Sequence, residues 1–113
     1  MQPVPPPFDD RRVLEYVVFD ESVRKTDRKF LRAAPGDPAV ITAMAICERL
    51  GAFPAVELCH CDDSWNIDCV NSWRRGSNMP FVSLEAIKTF AESCYSGTLN
   101  KWIRLAALSK DFL

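Results

Sequence analysis

Alternating apolar and polar positions predict a β-strand near the start of the chain. Residues 12–21, RVLEYVVFDE, are rich in β-branched and aromatic side chains. On an extended backbone Val13 and Val17 lie on one face, and Leu14, Tyr16 and Val18 lie on the other. Both faces are largely apolar, which favours a strand inside a sheet over a strand at its edge.

Apolar side chains at helical spacing predict a first helix over residues 37–51. Asp37 suits the N-cap, and Pro38 suits the first helical position, where a missing N–H costs nothing. Gly51 suits the end of the helix. The apolar residues at helical spacing between these ends are Val40, Ile41, Met44, Cys47 and Leu50. Cys47 is therefore predicted to lie in the core.

The last third of the chain predicts two more helices. Ser83 suits the N-cap of the first, and Ser96 and Gly97 interrupt it. Thr98 suits the N-cap of the second. The predicted apolar faces are Leu84, Ile87, Phe90, Ala91 and Cys94 in one helix, and Leu99, Trp102, Ile103, Ala106 and Ala107 in the other.

A β-hairpin is predicted in the middle of the chain, where two apolar runs, residues 53–61 and 65–73, flank the turn-forming sequence DDS. If a three-residue loop spans Asp63 to Trp65, then Cys59 faces its cross-strand partner Cys69. The elements together predict an α+β fold. In it, a small antiparallel or mixed sheet (the N-terminal strand plus the central hairpin) packs against about three helices.

The composition is typical of one globular domain preceded by a short arm. The chain has 113 residues, a hydrophobic fraction of 48% and a formal net charge of −1. Residues 1–10 are predicted to form a proline-rich arm and residues 11–113 the domain. No apolar run approaches the ~18 residues of a membrane-spanning helix, and the start of the chain lacks a secretory signal pattern. We therefore expect a cytoplasmic protein that binds no membrane.

The stretch ELCHCDDSWNIDC, residues 57–69, holds three of the five cysteines and the only histidine. On a strand, Cys59 and Cys61 share one face, roughly 6–7 Å apart, while His60 points to the other. This spacing divides the ligand set that a tetrahedral zinc ion needs, so we predict no metal and no cofactor. With Cys69, the two cysteines are expected to pack as small apolar side chains. A zinc site, a Cys59–Cys69 disulfide and a thiol enzyme with His60 as base stay open as alternatives.

Charge clusters are the candidate functional residues, because the sequence lacks the common catalytic motifs and we expect no enzyme. The acidic cluster lies at the predicted hairpin tip and includes an aromatic anchor: Asp62, Asp63, Trp65 and Asp68. The basic cluster has the Lys and Arg grouping that phosphate contacts need: Arg24, Lys25, Arg28, Lys29 and Arg32.

These features favour a small adaptor or inhibitor that sterically occupies a surface of another protein, of the kind that phages and mobile elements direct at a host complex. Its partner is then another protein or a nucleoprotein complex. The alternative is a nucleic-acid-binding module that uses the basic cluster, and the second alternative is a thiol or zinc protein centred on Cys59 to Cys69. A homodimer through an exposed strand edge is compatible with each of these.

Overall fold

The computed structural model describes residues 4–6, 8, 11–26, 41–49, 55–74 and 83–107, and for residues 67–74 it describes the backbone alone. The described residues form seven strands and one helix. The strands are β1 (Arg12–Val18), β2 (Arg24–Lys25), β3 (Ala43–Arg49), β4 (Ala55–Cys61), β5 (Ile67–Arg74), β6 (Tyr95–Ser96) and β7 (Ile103–Arg104). The helix is α1 (Leu84–Cys94).

Five strands form one antiparallel sheet in the order β5–β4–β3–β1–β7. The remaining two strands, β2 and β6, pair with each other in a separate small sheet. The predicted α+β fold with about three helices is therefore wrong. The described part of the chain is mostly strand and contains a single short helix.

The first predicted helix is replaced by β3, while Asp37, Pro38 and Gly51 lie outside the described residues. β3 pairs with β1 on one side and with β4 on the other. Its first six residues are buried, so the strand has no polar face and no two-residue alternation to reveal it. The predicted core position of Cys47 is confirmed, because its side chain is fully buried.

The predicted final helix over residues 98–107 is also wrong. The carboxylate of Glu92 accepts hydrogen bonds from the backbone N–H groups of Gly97, Thr98 and Leu99, at 2.9–3.1 Å. Gly97 has a φ of 96°, a left-handed conformation that glycine adopts without strain. The chain therefore turns back after α1, and the short strand β7 pairs with β1.

The predictions of a strand at β1, of the central hairpin and of α1 are confirmed. The predicted faces of β1 are wrong, because a bulge between Val13 and Glu15 places Leu14 and Val17 on one face of the sheet and Tyr16 on the other. The hydroxyl of Ser83 caps α1 by accepting a hydrogen bond from the N–H of Ala86 at 3.1 Å. The register of β4 and β5 places Cys59 opposite Cys69, as the three-residue loop requires.

The two faces of the five-stranded sheet carry separate buried clusters. We call the face covered by α1 the helix face; its cluster is Leu14, Val17, Met44, Ile46, Val56, Leu58, Ile87, Ala91, Cys94 and Tyr95. We call the opposite face the far face; its cluster is Tyr16, Ala43, Ala45, Cys47, Cys59, Cys61 and Trp65. Most far-face side chains on β3 and β4 are alanine or cysteine, and Phe8 of the N-terminal arm packs against this cluster.

Buried glutamates on β3 and β4 are paired with two arginines at the start of β1. Arg11 Nε donates to the carboxylate of Glu57 at 2.8 Å, and Glu57 is 4% exposed. Arg12 forms an ion pair with buried Glu48, across the pairing between β1 and β3. Consecutive arginines thus tie β1 to carboxylates on both faces of the sheet, which offsets the cost of burying those charges.

Candidate interaction surface

The hairpin tip is a tight three-residue loop made by Asp63, Ser64 and Trp65. The N–H of Trp65 donates to the C=O of Asp62 at 3.0 Å, and the N–H of Asp62 donates to the C=O of Asn66 at 3.2 Å. Trp65 has a φ of 60°, in the left-handed region that the third residue of such loops adopts. This conformation is uncommon for a bulky residue, so packing of the indole must hold it there.

Trp65 does not project from the hairpin tip, so the prediction of an exposed aromatic anchor is wrong. Its side chain is 4% exposed and packs in the far-face cluster. The indole meets the ring of Tyr16 edge-on, with 6.1 Å between ring centroids. The left-handed backbone turns this side chain back over the sheet, onto the face that carries Cys59 and Cys61.

The acidic residues of the predicted site have different roles. Asp62 Oδ1 accepts hydrogen bonds from the N–H groups of Ser64 and Asn66 at 2.9 and 3.0 Å, and Oδ2 accepts from Asn66 Nδ2 at 3.1 Å. These bonds, that of the Asn66 side chain above all, lower the pKa of Asp62, so its carboxylate holds the turn. Asp63 is exposed at the tip, and the side chain of Asp68 lies outside the described part of the chain.

The basic cluster is described only at its start. Arg24 and Lys25 form the exposed strand β2, and Arg28, Lys29 and Arg32 lie outside the described residues. The guanidinium of Arg24 donates to the backbone carbonyls of Glu21 and Val23. Nucleic-acid binding by this cluster stays a prediction.

The cysteines and the histidine separate onto opposite faces, as strand alternation predicts. Cys59 and Cys61 are fully buried on the far face, and His60 is buried on the helix face, where its ring lies edge-on to Tyr95. Burial raises the pKa of the Cys61 thiol to about 12, and the nearby Asp62 carboxylate adds to the shift. Cys61 therefore carries a neutral thiol, which is a poor nucleophile and a poor metal ligand. Among the described residues, no group of three or more His, Cys, Asp or Glu side chains could hold a metal ion.

Exposed apolar side chains are concentrated in the segment that follows α1. Leu99, Ile103 and Leu105 are 41%, 50% and 48% exposed. We call residues 99–105 the apolar edge, because they run into β7, which lies at one end of the order of the five-stranded sheet. Large apolar side chains clustered at a surface often mark an interaction site.

The backbone of β7 is hydrogen-bonded to β1 on one side. The N–H of Leu105 donates to the C=O of Leu14 at 2.8 Å. The N–H of Ala106 donates to the same oxygen at 3.1 Å, so the regular ladder ends there; within the ladder, at residues 103–105, bonds toward one neighbour recur at every second residue. Ile103 and Leu105 therefore bond toward β1, and the N–H and C=O of Arg104 point away from it.

The charge at the apolar edge is positive. The side chain of Arg104 is exposed, and the described residues provide it with no ion-pair partner. Its cross-strand neighbour Glu15 is buried and is paired with Lys88 of α1, Nζ to Oε1 at 2.7 Å. Arg12 also reaches this edge, where it donates to the C=O of Ala107 at 2.7 Å, but its charge is paired with that of Glu48.

Sequence reasoning missed the apolar edge because it assigned these residues to the buried face of a helix. Leu99 and Ile103 are four positions apart, which matches helical spacing. One signal was nevertheless present: Ser96 and Gly97 mark a chain reversal, after which Ile103, Arg104 and Leu105 alternate as in a strand.

Comparison with known proteins assigns the chain to no family: no protein-family model, no curated protein and no solved structure matches it. No helix in the described part of the chain combines the length and the apolar character needed to cross a membrane.

Proposed function

We propose that this chain is a non-enzymatic binding protein, an adaptor or inhibitor, that occupies a surface of another protein through its apolar edge. The observation that carries the proposal is the exposure of Leu99, Ile103 and Leu105 within one short segment at the end of a sheet. Contacts of this kind act sterically: the covered surface of the partner is no longer open to its other ligands. The expectation of a phage or mobile-element source stays a prediction.

The apolar edge is a better candidate than the hairpin tip. Trp65, the aromatic residue of the tip, is buried in the core, and the carboxylate of Asp62 accepts hydrogen bonds within the turn. Most of the binding energy at a protein interface comes from a few side chains that become buried near its centre, while exposed carboxylates at the rim contribute little. Asp63 remains as an exposed carboxylate at the tip.

The contribution of the apolar side chains to the binding free energy follows from their exposed fractions. Full burial of a Leu or Ile side chain contributes about 1.5–3 kcal/mol. Leu99, Ile103 and Leu105 are each about half exposed, so covering the three contributes about 3 kcal/mol, or roughly a hundredfold in affinity. Loss of this contact is expected to act mainly on the dissociation rate.

The state of the sulfur groups supports binding rather than thiol chemistry. The Cys61 thiol is buried and neutral, and His60 lies across the sheet from it. Cys47, Cys61 and Cys94 are free thiols. Free thiols suit a reducing compartment, so we place the protein in the cytoplasm as part of this proposal.

Site-specific photo-crosslinking in the native cell tests the proposal. A benzophenone amino acid is introduced at Leu105 in one variant and at Thr89, which is exposed on α1, in a matched control. We expect a covalent adduct with one defined protein from position 105 and none from position 89. The adduct protein is identified by mass spectrometry, purified and titrated against the chain.

The apolar contact is then removed by the double substitution Ile103→Asp and Leu105→Asp, with Thr89→Asp as the control. We expect the double variant to bind at least a hundredfold more weakly and the control to bind as the wild type does. A partner captured from a probe at Asp63 but not at Leu105 would move the interface to the hairpin tip and contradict the proposal.

A further inference from the structure

We infer that the apolar edge binds its partner by strand addition at Arg104, and that the added segment carries one acidic side chain between two apolar ones. This inference rests on the proposed function and names the chemistry of the partner. It combines three observations on β7: an outward-facing backbone, two apolar side chains on one face, and a cation on the other.

The backbone of Arg104 provides the hydrogen bonds. Leu105 bonds toward β1 through its N–H, so the N–H and C=O of Arg104 point away from the sheet. Within the described residues, β7 ends the order of strands. An extended segment beside β7 can therefore place one residue opposite Arg104 and exchange both backbone bonds with it.

The side chains of β7 determine which residues fit on either side of the partner residue that lies opposite Arg104. Ile103 pairs with Tyr16, so it lies on the far face, and Leu105 lies on the same face two positions along. Paired residues in neighbouring strands point to the same face, so the residues on either side of the central one lie next to Ile103 and Leu105. Because these two side chains are about half exposed, both flanking positions favour apolar residues.

The charge of Arg104 selects the central residue. Its side chain points to the helix face, as does that of its cross-strand neighbour Glu15. Lys88 engages Glu15, so Arg104 is left to meet a charge on an added strand. An opposite charge directly across the ladder is favourable, and a like charge is unfavourable. Aspartate or glutamate therefore fits the position opposite Arg104.

The same charge argues against a second copy of this chain as the occupant. Two apolar edges related by a twofold axis at Arg104 would bring two guanidinium groups opposite each other. A charged residue on an edge strand is also a common protection against self-association. The favoured occupant is therefore an acidic and apolar segment of a different protein.

A synthetic heptapeptide tests the inference with the full chain. The probe carries Val-Glu-Val at its centre, flanked by Ser and Thr residues, with blocked ends. We expect its amide chemical-shift changes to centre on residues 103–105, and we expect a peptide with Val-Lys-Val to bind about tenfold more weakly. The variant Arg104→Glu is expected to reverse that preference, so that the lysine peptide binds more tightly than the glutamate peptide.

N-methylated peptides separate strand addition from a purely apolar contact. Methylation of the central N–H removes a bond to the C=O of Arg104, and we expect at least tenfold weaker binding. Methylation of the next N–H, which points away from β7, is expected to change binding by less than twofold. Equal effects at both positions would overturn strand addition, and equal affinity of the glutamate and lysine peptides would overturn the acidic assignment.

Sedimentation of the chain alone provides a further check. A dimer that dissociates in Arg104→Glu, or one that Ile103→Asp abolishes, would show that a second copy occupies the edge and would overturn the inference. If crosslinking at Leu105 captures a partner but the N-methylation pattern is absent, the proposed function stands and strand addition fails. If Leu105 captures no partner, the proposed function itself fails.

Discussion

Acidification is expected to destabilise the protein through its single histidine. His60 is 2% exposed on the helix face, with its ring 5.3 Å from that of Tyr95, edge-on. Burial removes the imidazolium ion from water, and the charge of Lys25 adds repulsion, so the pKa of His60 falls to about 4. In the unfolded chain the pKa is about 6.5.

The magnitude follows from the difference between these two pKa values. Between pH 6.5 and pH 4 the unfolded state binds a proton that the folded state does not, so the free energy of unfolding falls as the pH falls. A difference of about 2.5 pKa units corresponds to about 3 kcal/mol in total, of which about 2 kcal/mol is lost by pH 5. Above pH 6.5 the effect of His60 is absent.

Urea unfolding at pH 7.5 and pH 5.0, in the wild type and in His60→Leu, measures this effect. Carboxylates titrate in both proteins, so the comparison isolates the histidine. We expect the wild type to lose about 2 kcal/mol more than the variant between the two pH values. Because the chain has one histidine, NMR titration of the imidazole gives the folded-state pKa without ambiguity. A midpoint near 6.5, or equal losses in the two proteins, would refute the reasoning.

Three substitutions test other parts of the fold by urea unfolding at pH 7.5. Gly97→Ala should cost more than about 1 kcal/mol, because the φ of 96° is left-handed and a Cβ would lie 2.9 Å from the C=O oxygen of Ser22; an unchanged midpoint would contradict this. Glu57→Gln should cost about 2 kcal/mol, because it leaves the guanidinium of Arg11 without its carboxylate; the double variant with Arg11→Met should recover part of the loss. Ser83→Ala should cost about 1 kcal/mol through loss of the N-cap of α1, and Ser83→Asp should restore it.

The local elements of the fold could be predicted where the sequence carries a local signal. The hairpin loop has turn-forming residues between two apolar runs, and its length sets the pairing of Cys59 with Cys69. α1 has a cap at Ser83 and an apolar stripe that includes Ile87 and Ala91. In both cases the residues that decide the structure lie within a few positions of each other.

The strands β3 and β7 could not be predicted because tertiary pairing decides them. In β3, Ala43, Met44, Ala45 and Ile46 are buried on alternate faces, so the period of two is hidden, and alanine and methionine favour helices in isolation. β7 has two residues and depends on pairing with β1. Because β1 is far from β7 in the sequence, the local sequence around β7 carries no signal of this pairing.

The candidate site was missed for the same reason. Ile103 was predicted to be buried because it was assigned to the apolar face of a helix. In the structure it lies on the strand β7 and is half exposed. Trp65 shows the opposite error, since a loop position in the sequence implied exposure and a left-handed backbone places the indole in the core. Burial of a side chain at a turn depends on its backbone dihedrals, which residue type alone does not specify.

The pairing of β1 with β7 has a consequence for biosynthesis. Arg12 of β1 donates to the C=O of Ala107, just after β7, and these two residues are 95 positions apart in the sequence. At translation rates of about 5–20 residues per second, β1 waits roughly 5–20 s for this neighbour. During that interval the edge of β1 beside Leu14 is open, and the surface centred on Arg104 has not been synthesised. The binding surface that we propose therefore forms only after β7 has been synthesised and has paired with β1.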